Sequence, residues 1–136
     1  MLKWLAGKFE QGRGALQSKL ENQVNRQSPP PPFFDAEGWR KRGNDWVEAD
    51  NLVEAERCYQ EAVNLAPTDV AALVNLGFVK AERKATQEAQ QLLRRALLLD
   101  STNMDAWYIL GGIHEQDGHP TAAAEAFQKA IELRPD

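Results

Sequence analysis

From Ala36 onward, apolar residues recur at three- and four-residue steps inside stretches of about 13 to 15 residues, each closed by a short polar break. That period is the signature of amphipathic α-helices. It predicts helices near 36–48, 52–65, 69–83, 86–99, 103–116 and 120–133, and no strands. Asp35, Asp69, Thr86 and Asn103 stand where N-caps are needed, since their side-chain oxygens can accept from free first-turn N–H groups. Gly118 stands where a helix stops, because glycine adopts the left-handed conformation at no steric cost.

The helical pattern repeats. Trp39, Leu73 and Trp107 are 34 residues apart, and so are Gly43, Gly77 and Gly111. Ala55, Ala89 and Ala123 keep the same spacing, as do Tyr59, Leu93 and Phe127, and Ala62, Ala96 and Ala130. Pro67 and Pro135 are two periods apart, with Ser101 between them. Five position classes in register over three units define a repeat array.

On these residues the chain resembles the tetratricopeptide repeat family, whose unit is 34 residues with Trp, Leu-Gly, Tyr, Ala, Phe and Pro landmarks. "AEGWRKRGNDW", "AALVNLGFVK" and "DAWYILGGIH" look like its first helices. "EAERCYQEAVNLAPTD", "EAQQLLRRALLLDSTN" and "AAAEAFQKAIELRPD" look like its second helices. The resemblance covers residues 36–136, divided 36–69, 70–103 and 104–136. It implies an all-α fold, a right-handed superhelical α-solenoid of three helix-turn-helix repeats. Each landmark has a physical reason. Gly43, Gly77 and Gly111 would lie where the two helices of a pair meet, with Ala55, Ala62 and their equivalents opposite. Trp39, Tyr59, Trp107 and Phe127 would fill the space between helices. Pro67 and Pro135 would stop second helices.

The resemblance also implies a concave groove lined by first helices. Carried over by repeat position, repeat one offers Glu37, Arg40, Asn44, Val47 and Glu48. Repeat two offers Ala71, Val74, Phe78, Ala81 and Glu82, and repeat three offers Asp105, Tyr108, Gly112, Glu115 and Gln116. Val74, Phe78 and Tyr108 would form an apolar centre flanked by Glu48, Glu82 and Glu115. Such a surface suits a peptide or helix with apolar anchors and some basic residues. The same residues would otherwise be ordinary packing positions.

Some family members grip the C-terminal carboxylate of heat-shock chaperones. That grip needs a basic residue and an Asn on the first helix, an Asn on the third and two cations on the fifth. Arg40, Asn44 and Asn75 match the first three positions. The fifth helix offers Asp105 and Ile109, and an acid there repels a carboxylate. The charge pattern argues against this ligand.

Charge divides the chain in two. Residues 1–28 carry five basic and two acidic residues, a balance of +3, whereas residues 33–136 carry a balance of −7. Ser28 and four successive prolines separate them, opening a linker over 29–35 that favours an extended rod. In front of it, Leu2, Leu5, Phe9, Leu16 and Leu20 fall on one helical face, with Val24 at its edge. Gly7, Gly12 and Gly14 weaken that helix and Arg13 intrudes on its stripe. Three roles fit this N-terminal amphipathic helix: packing onto the repeats or another copy, lying at a membrane surface or on a partner, or staying disordered alone. The opposite charges favour docking onto the repeats.

Composition narrows the function classes. A net charge of −4 gives no reason to expect nucleic-acid binding. The single cysteine, Cys58, cannot form an internal disulfide, and the apolar residues near the N-terminus are too interrupted for a secretory signal. No run of eighteen apolar residues exists, so a cytoplasmic and at most membrane-peripheral protein is expected. For chemistry, Cys58 lies on an apolar helix side and reads as a small buried hydrophobe. His114 and His119 are five apart, whereas helical metal pairs are three or four apart. No phosphate loop or dinucleotide fingerprint is present, so neither enzyme, metal nor cofactor is expected.

These readings converge on a protein–protein interaction scaffold or adaptor that takes a protein or peptide partner. Two alternatives stand beside it: the docking region of a larger enzyme, such as a bacterial glycosyltransferase or methyltransferase, and a membrane-peripheral assembly factor. The last helix shows Ile131 and Leu133 with no capping helix after it. A longer protein, or a homo-oligomer through uncapped ends, is the expectation there.

Overall fold

The computed structural model describes residues 34–134. Among them the regular elements are all α-helices: α1 (Ala36–Glu48), α2 (Leu52–Leu65), α3 (Val70–Glu82), α4 (Thr86–Leu99), α5 (Met104–Gln116) and α6 (Pro120–Glu132). Every bound lies within one residue of the sequence expectation. The N-terminal amphipathic face (Leu2, Leu5, Phe9, Leu16, Leu20), prolines 29–32 and Pro135 lie outside the described residues.

Short polar side chains start the helices largely as expected. Asp35 Oδ1 accepts from Gly38 N–H at 2.7 Å, and Asn103 Oδ1 accepts from Ala106 N–H at 2.9 Å. Asp69 does the same for Ala72 at 3.4 Å. Thr86 departs from expectation: it is the first helical residue of α4, and Ala85 holds the cap position without a side-chain bond. The fourth side-chain cap is Asn51, whose Oδ1 accepts from Glu54 N–H at 3.1 Å. The Asn-Leu-Val-Glu spacing carried that signal.

The first helices all end in the same way. Asp50 (φ 61°), Lys84 (φ 69°) and Gly118 (φ 78°) are left-handed and 34 residues apart. Asn51 N–H donates to Trp46 C=O at 2.9 Å, Ala85 N–H to Lys80 C=O at 2.8 Å and His119 N–H to His114 C=O at 2.8 Å. With Asp50, Lys84 and Gly118 donating to Val47, Ala81 and Glu115, each forms a Schellman stop. Sequence reasoning found only the glycine, because glycine signals the conformation far more strongly than aspartate or lysine.

The described residues form two compact units, 34–67 and 68–134. In the first, α1 packs on α2 around buried Trp46, Val47, Ala55, Cys58, Tyr59 and Ala62. In the second, α3 pairs with α4 and α5 with α6, while α5 also touches α4 and α3. Its largest fully buried side chains are Leu73, Leu76, Val79, Leu93, Ile109 and Ile113. Close approach within the pairs depends on the repeated glycine. A Cβ on Gly77 would meet Leu93 Cγ at 2.9 Å, and one on Gly111 would meet the Phe127 ring at 2.6 Å. Gly43 faces Tyr59 in the same way. Lys80 adds an ion pair from α3 to Glu88 of α4 at 2.8 Å.

Candidate functional site

The expected site is a surface of first helices. On α3, Val74, Phe78 and Glu82 follow one another at four-residue steps and share a face, with Asn75 beside it. On α5, Tyr108, Gly112 and Glu115 follow at steps of four and three and likewise share a face. Both helices belong to the unit 68–134, and α3 touches α5. Arg40, Asn44, Val47 and Glu48 of α1 belong to the unit 34–67.

Burial changes the character of this surface. Val74 is 5% exposed and Phe78 is 2% exposed, so the apolar centre is out of water. Tyr108 remains half-buried, and its ring lies 5.5 Å from that of Phe127 of its own helix pair, tilted by 57°. Gly112 is buried, Asn75 and Glu82 are half-buried, and Glu115 is exposed. The accessible part is therefore acidic and polar around an aromatic edge. Burial pushes the Glu82 carboxyl above the usual range, with the Lys84 charge opposing it.

In the unit 34–67, Asn44 of α1 is tied to α2. Tyr59 Oη donates to Asn44 Oδ1 at 2.6 Å, and burial pushes the phenol up. Val47 is buried at 5% exposure, while Arg40 and Glu48 are half-buried. Burial raises the Glu48 carboxyl, helped by the Asp45 charge. Trp46 is enclosed too, and among the described residues its indole N–H meets no acceptor. Sequence reasoning missed this tryptophan, although it occupies the same repeat position as His114. Trp39, expected between helices, sits edge-on to Phe34 at 5.3 Å, with the Arg42 guanidinium over Phe34 at 5.7 Å.

Of the reactive residue types, Cys58 is enclosed, His114 is half-buried and His119 is exposed. Cys58 is fully buried, and burial pushes its thiol up to about 11 against the weaker pull of Arg42. The His114 and His119 rings meet edge-on at 6.3 Å. Among the described residues no group of three or more His, Cys, Asp or Glu is placed to hold a metal ion. Ile109, at one of the two fifth-helix positions a carboxylate grip would need, is fully buried.

Three helix pairs, each first helix ended by the same left-handed stop and each pair crossing at a small residue, define a helical-repeat protein. Two tetratricopeptide repeat models match the chain, over residues 36–69 and 78–136. The chain belongs to the tetratricopeptide repeat family, a family of interaction repeats. It is similar to Tetratricopeptide repeat protein 7B of Homo sapiens, 34% identical over 83 residues, covering 61% of this chain and 10% of that protein. It is also similar to the Protein O-mannosyl-transferase TMTC3 of Homo sapiens, 31% identical over 85 residues, covering 62% of this chain and 9% of that protein. The chain thus spans about a tenth of the length of the curated relatives it matches. Among solved structures it resembles the second repeat domain of Spaghetti bound to the HSP90 peptide SRMEEVD, with a TM-score of 0.70 and 21% identity, covering 84% of this chain and 99% of that one. That likeness shows the fold. No described helix is long and apolar enough to cross a membrane.

Proposed function

We propose that this chain is a binding module that takes a peptide or helix with apolar anchors and basic residues on the α3–α5 face. The observation that carries the reading is the pairing of Tyr108 with an acidic rim. Glu82 and Glu115 stand on the same two helix faces as Val74, Phe78 and Tyr108. Acids around an aromatic edge attract a cationic amphipathic segment and steer its approach. The Spaghetti domain is a tetratricopeptide fold holding a peptide, which supports peptide binding as a use of this architecture. The ligand here differs in charge, because Asp105 and buried Ile109 occupy the positions where two cations would meet a terminal carboxylate.

Because Phe78 is buried, replacing it would disturb the fold as well as the surface. The decisive variant is E82K/E115K, which reverses rim charge and leaves the packed residues alone. A synthetic helix-forming peptide with apolar residues at i, i+4 and i+7 and three lysines is the probe, titrated calorimetrically into the full chain. Charge reversal is expected to weaken binding about tenfold or more at low salt, with a shallower salt dependence. Equal affinity for both chains would overturn the reading.

A second reading has one observation in its favour. The match to TMTC3, a transferase by name, covers 9% of that protein, which fits a repeat segment serving as the docking region of a larger enzyme. Sequence downstream of Asp136 in the native reading frame separates the two.

A further inference from the structure

We propose that the cleft between α4, the end of α5 and the start of α6 is a second binding site, and that it takes a phosphate group. It shares no lining residue with the α3–α5 face, so it stands independently of the reading of that face.

The cleft lies wholly within the unit 68–134 and has a volume of about 580 Å³. Gln90 and Arg94 of α4, His114 of α5, and His119, Thr121 and Ala122 line it. Each of the polar side chains among them can donate a hydrogen bond. Among the described residues no carboxylate lines the cleft, although the chain holds 20 Asp and Glu. Of the two acids between the histidines in the chain, Glu115 is exposed, and Asp117 Oδ2 accepts from Gln90 Nε2 at 3.3 Å.

Arg94 is exposed, and among the described residues it has no ion pair. A guanidinium presents forked N–H donors that match phosphate oxygens, and its charge is permanent. In the same cleft the His114 and His119 rings meet edge-on at 6.3 Å, and each imidazole brings at least one N–H. α6 begins here with Pro120 and takes no side-chain cap from His119, which leaves first-turn N–H groups for the same ligand. The helix start adds donors to a site that Arg94 and the imidazoles define.

The repeat does not require these residues. At the 34-residue spacing Arg94 corresponds to Gln60 and Gln128, His114 to Trp46 and Lys80, and His119 to Asn51 and Ala85. Helix pairs form with any of them, so the donor set belongs to this junction and not to the fold. A lone ion would leave much of the cleft empty, since sites for organic ligands occupy roughly 300–1,000 Å³. That room suits phosphate carried on a larger molecule, such as a phosphorylated peptide side chain. The free ion shares the same chemistry.

The chain has two histidines and both line the cleft, so their imidazole resonances report on this site. Proton–carbon correlation spectra of the full chain are followed at constant pH and ionic strength with three probes. These are sodium phosphate, a capped alanine peptide with one central phosphoserine, and the same peptide unphosphorylated. The phosphopeptide is expected to shift both histidines saturably, and the unphosphorylated peptide to leave them in place. Arg94→Gln installs the residue found at both equivalent positions, and an unchanged thermal midpoint checks its fold. It is expected to raise the dissociation constant about tenfold or more. Saturation by sodium phosphate with no response to the phosphopeptide keeps the phosphate site and assigns it to the free ion. Shifts that never saturate, equal shifts with the unphosphorylated peptide, or equal affinity in Arg94→Gln would each overturn the proposal.

Discussion

A Cβ placed on Gly111 would lie 2.6 Å from Cδ1 of Phe127, inside the distance at which carbon atoms repel. The two helices of the third pair cross at this point because one residue has no side chain and the other fills the room. A helix interior otherwise prefers alanine to glycine by about 1 kcal/mol. The glycine is kept for the crossing, against the local preference. Gly111→Ala is expected to lose about 1–3 kcal/mol, net of that preference, in urea unfolding. Adding Phe127→Leu should recover part of the loss, since the ring is what the methyl meets. A Gly111→Ala chain as stable as the parent would show that the pair can separate freely.

The three helix stops give a prediction of opposite sign. Lys84 sits at φ 69° and Asp50 at φ 61°, a region that costs an ordinary L-residue roughly 1 kcal/mol or more and glycine little. Lys84→Gly is therefore expected to stabilise the chain by about 0.5–1 kcal/mol, read as a raised thermal midpoint. Gly118→Ala should lower it by a similar amount, even though no atom lies within 4 Å of a Cβ there. A drop on Lys84→Gly would mean that the lysine side chain contributes more than its backbone costs.

Cys58 supplies a pH dependence. Its thiol is pushed from the usual 9.0 to about 11 by burial, so the folded chain keeps the proton where the unfolded chain has lost it. Between those values the unfolded state binds fewer protons, and stability falls as pH rises. Below pH 9 this contribution is flat. Urea midpoints measured from pH 8 to 11 should decline across the upper part of that range, and less steeply in Cys58→Ala. The same burial predicts that a thiol reagent labels Cys58 at pH 8 only as fast as the chain opens.

Phe78 links stability to the proposed binding face. With 2% exposure it is a core residue by packing, and Phe78→Ala is expected to cost about 3–5 kcal/mol in chemical unfolding. Glu115 is exposed, and Glu115→Lys should change the unfolding midpoint by less than about 0.5 kcal/mol. A small loss at Phe78 would indicate that the ring is held loosely and its burial is easily reversed.

Much of the architecture was legible because repetition averages out local ambiguity. A single 14-residue apolar pattern leaves its ends uncertain. Three copies in register place Trp39, Leu73 and Trp107 together, and the shared frame then fixes helix bounds to within one residue. The caps at Asp35, Asp69 and Asn103 could be read because each is a short oxygen-bearing side chain at a helix start. The cap at Thr86 was misread because threonine at the first helical position looks the same in sequence as threonine just before it. The left-handed stops at Asp50 and Lys84 went unread, since aspartate signals positive φ only weakly and lysine not at all.

The candidate face shows where such reading ends. Helical spacing alone places Val74, Phe78 and Glu82 on one side of α3, and Tyr108, Gly112 and Glu115 on one side of α5. The sequence by itself thus determined the repeat, its helices, the small residues at the crossings and the acidic character of the face. Exposure was beyond it, because accessibility depends on what packs against a residue from elsewhere in the chain. Only tertiary structure decided that Phe78 is enclosed, that Tyr108 leans on Phe127, and that Asn44 is held by the Tyr59 hydroxyl. Period fixes direction around a helix axis; burial is a property of neighbours, and neighbours are known only once the helices have met.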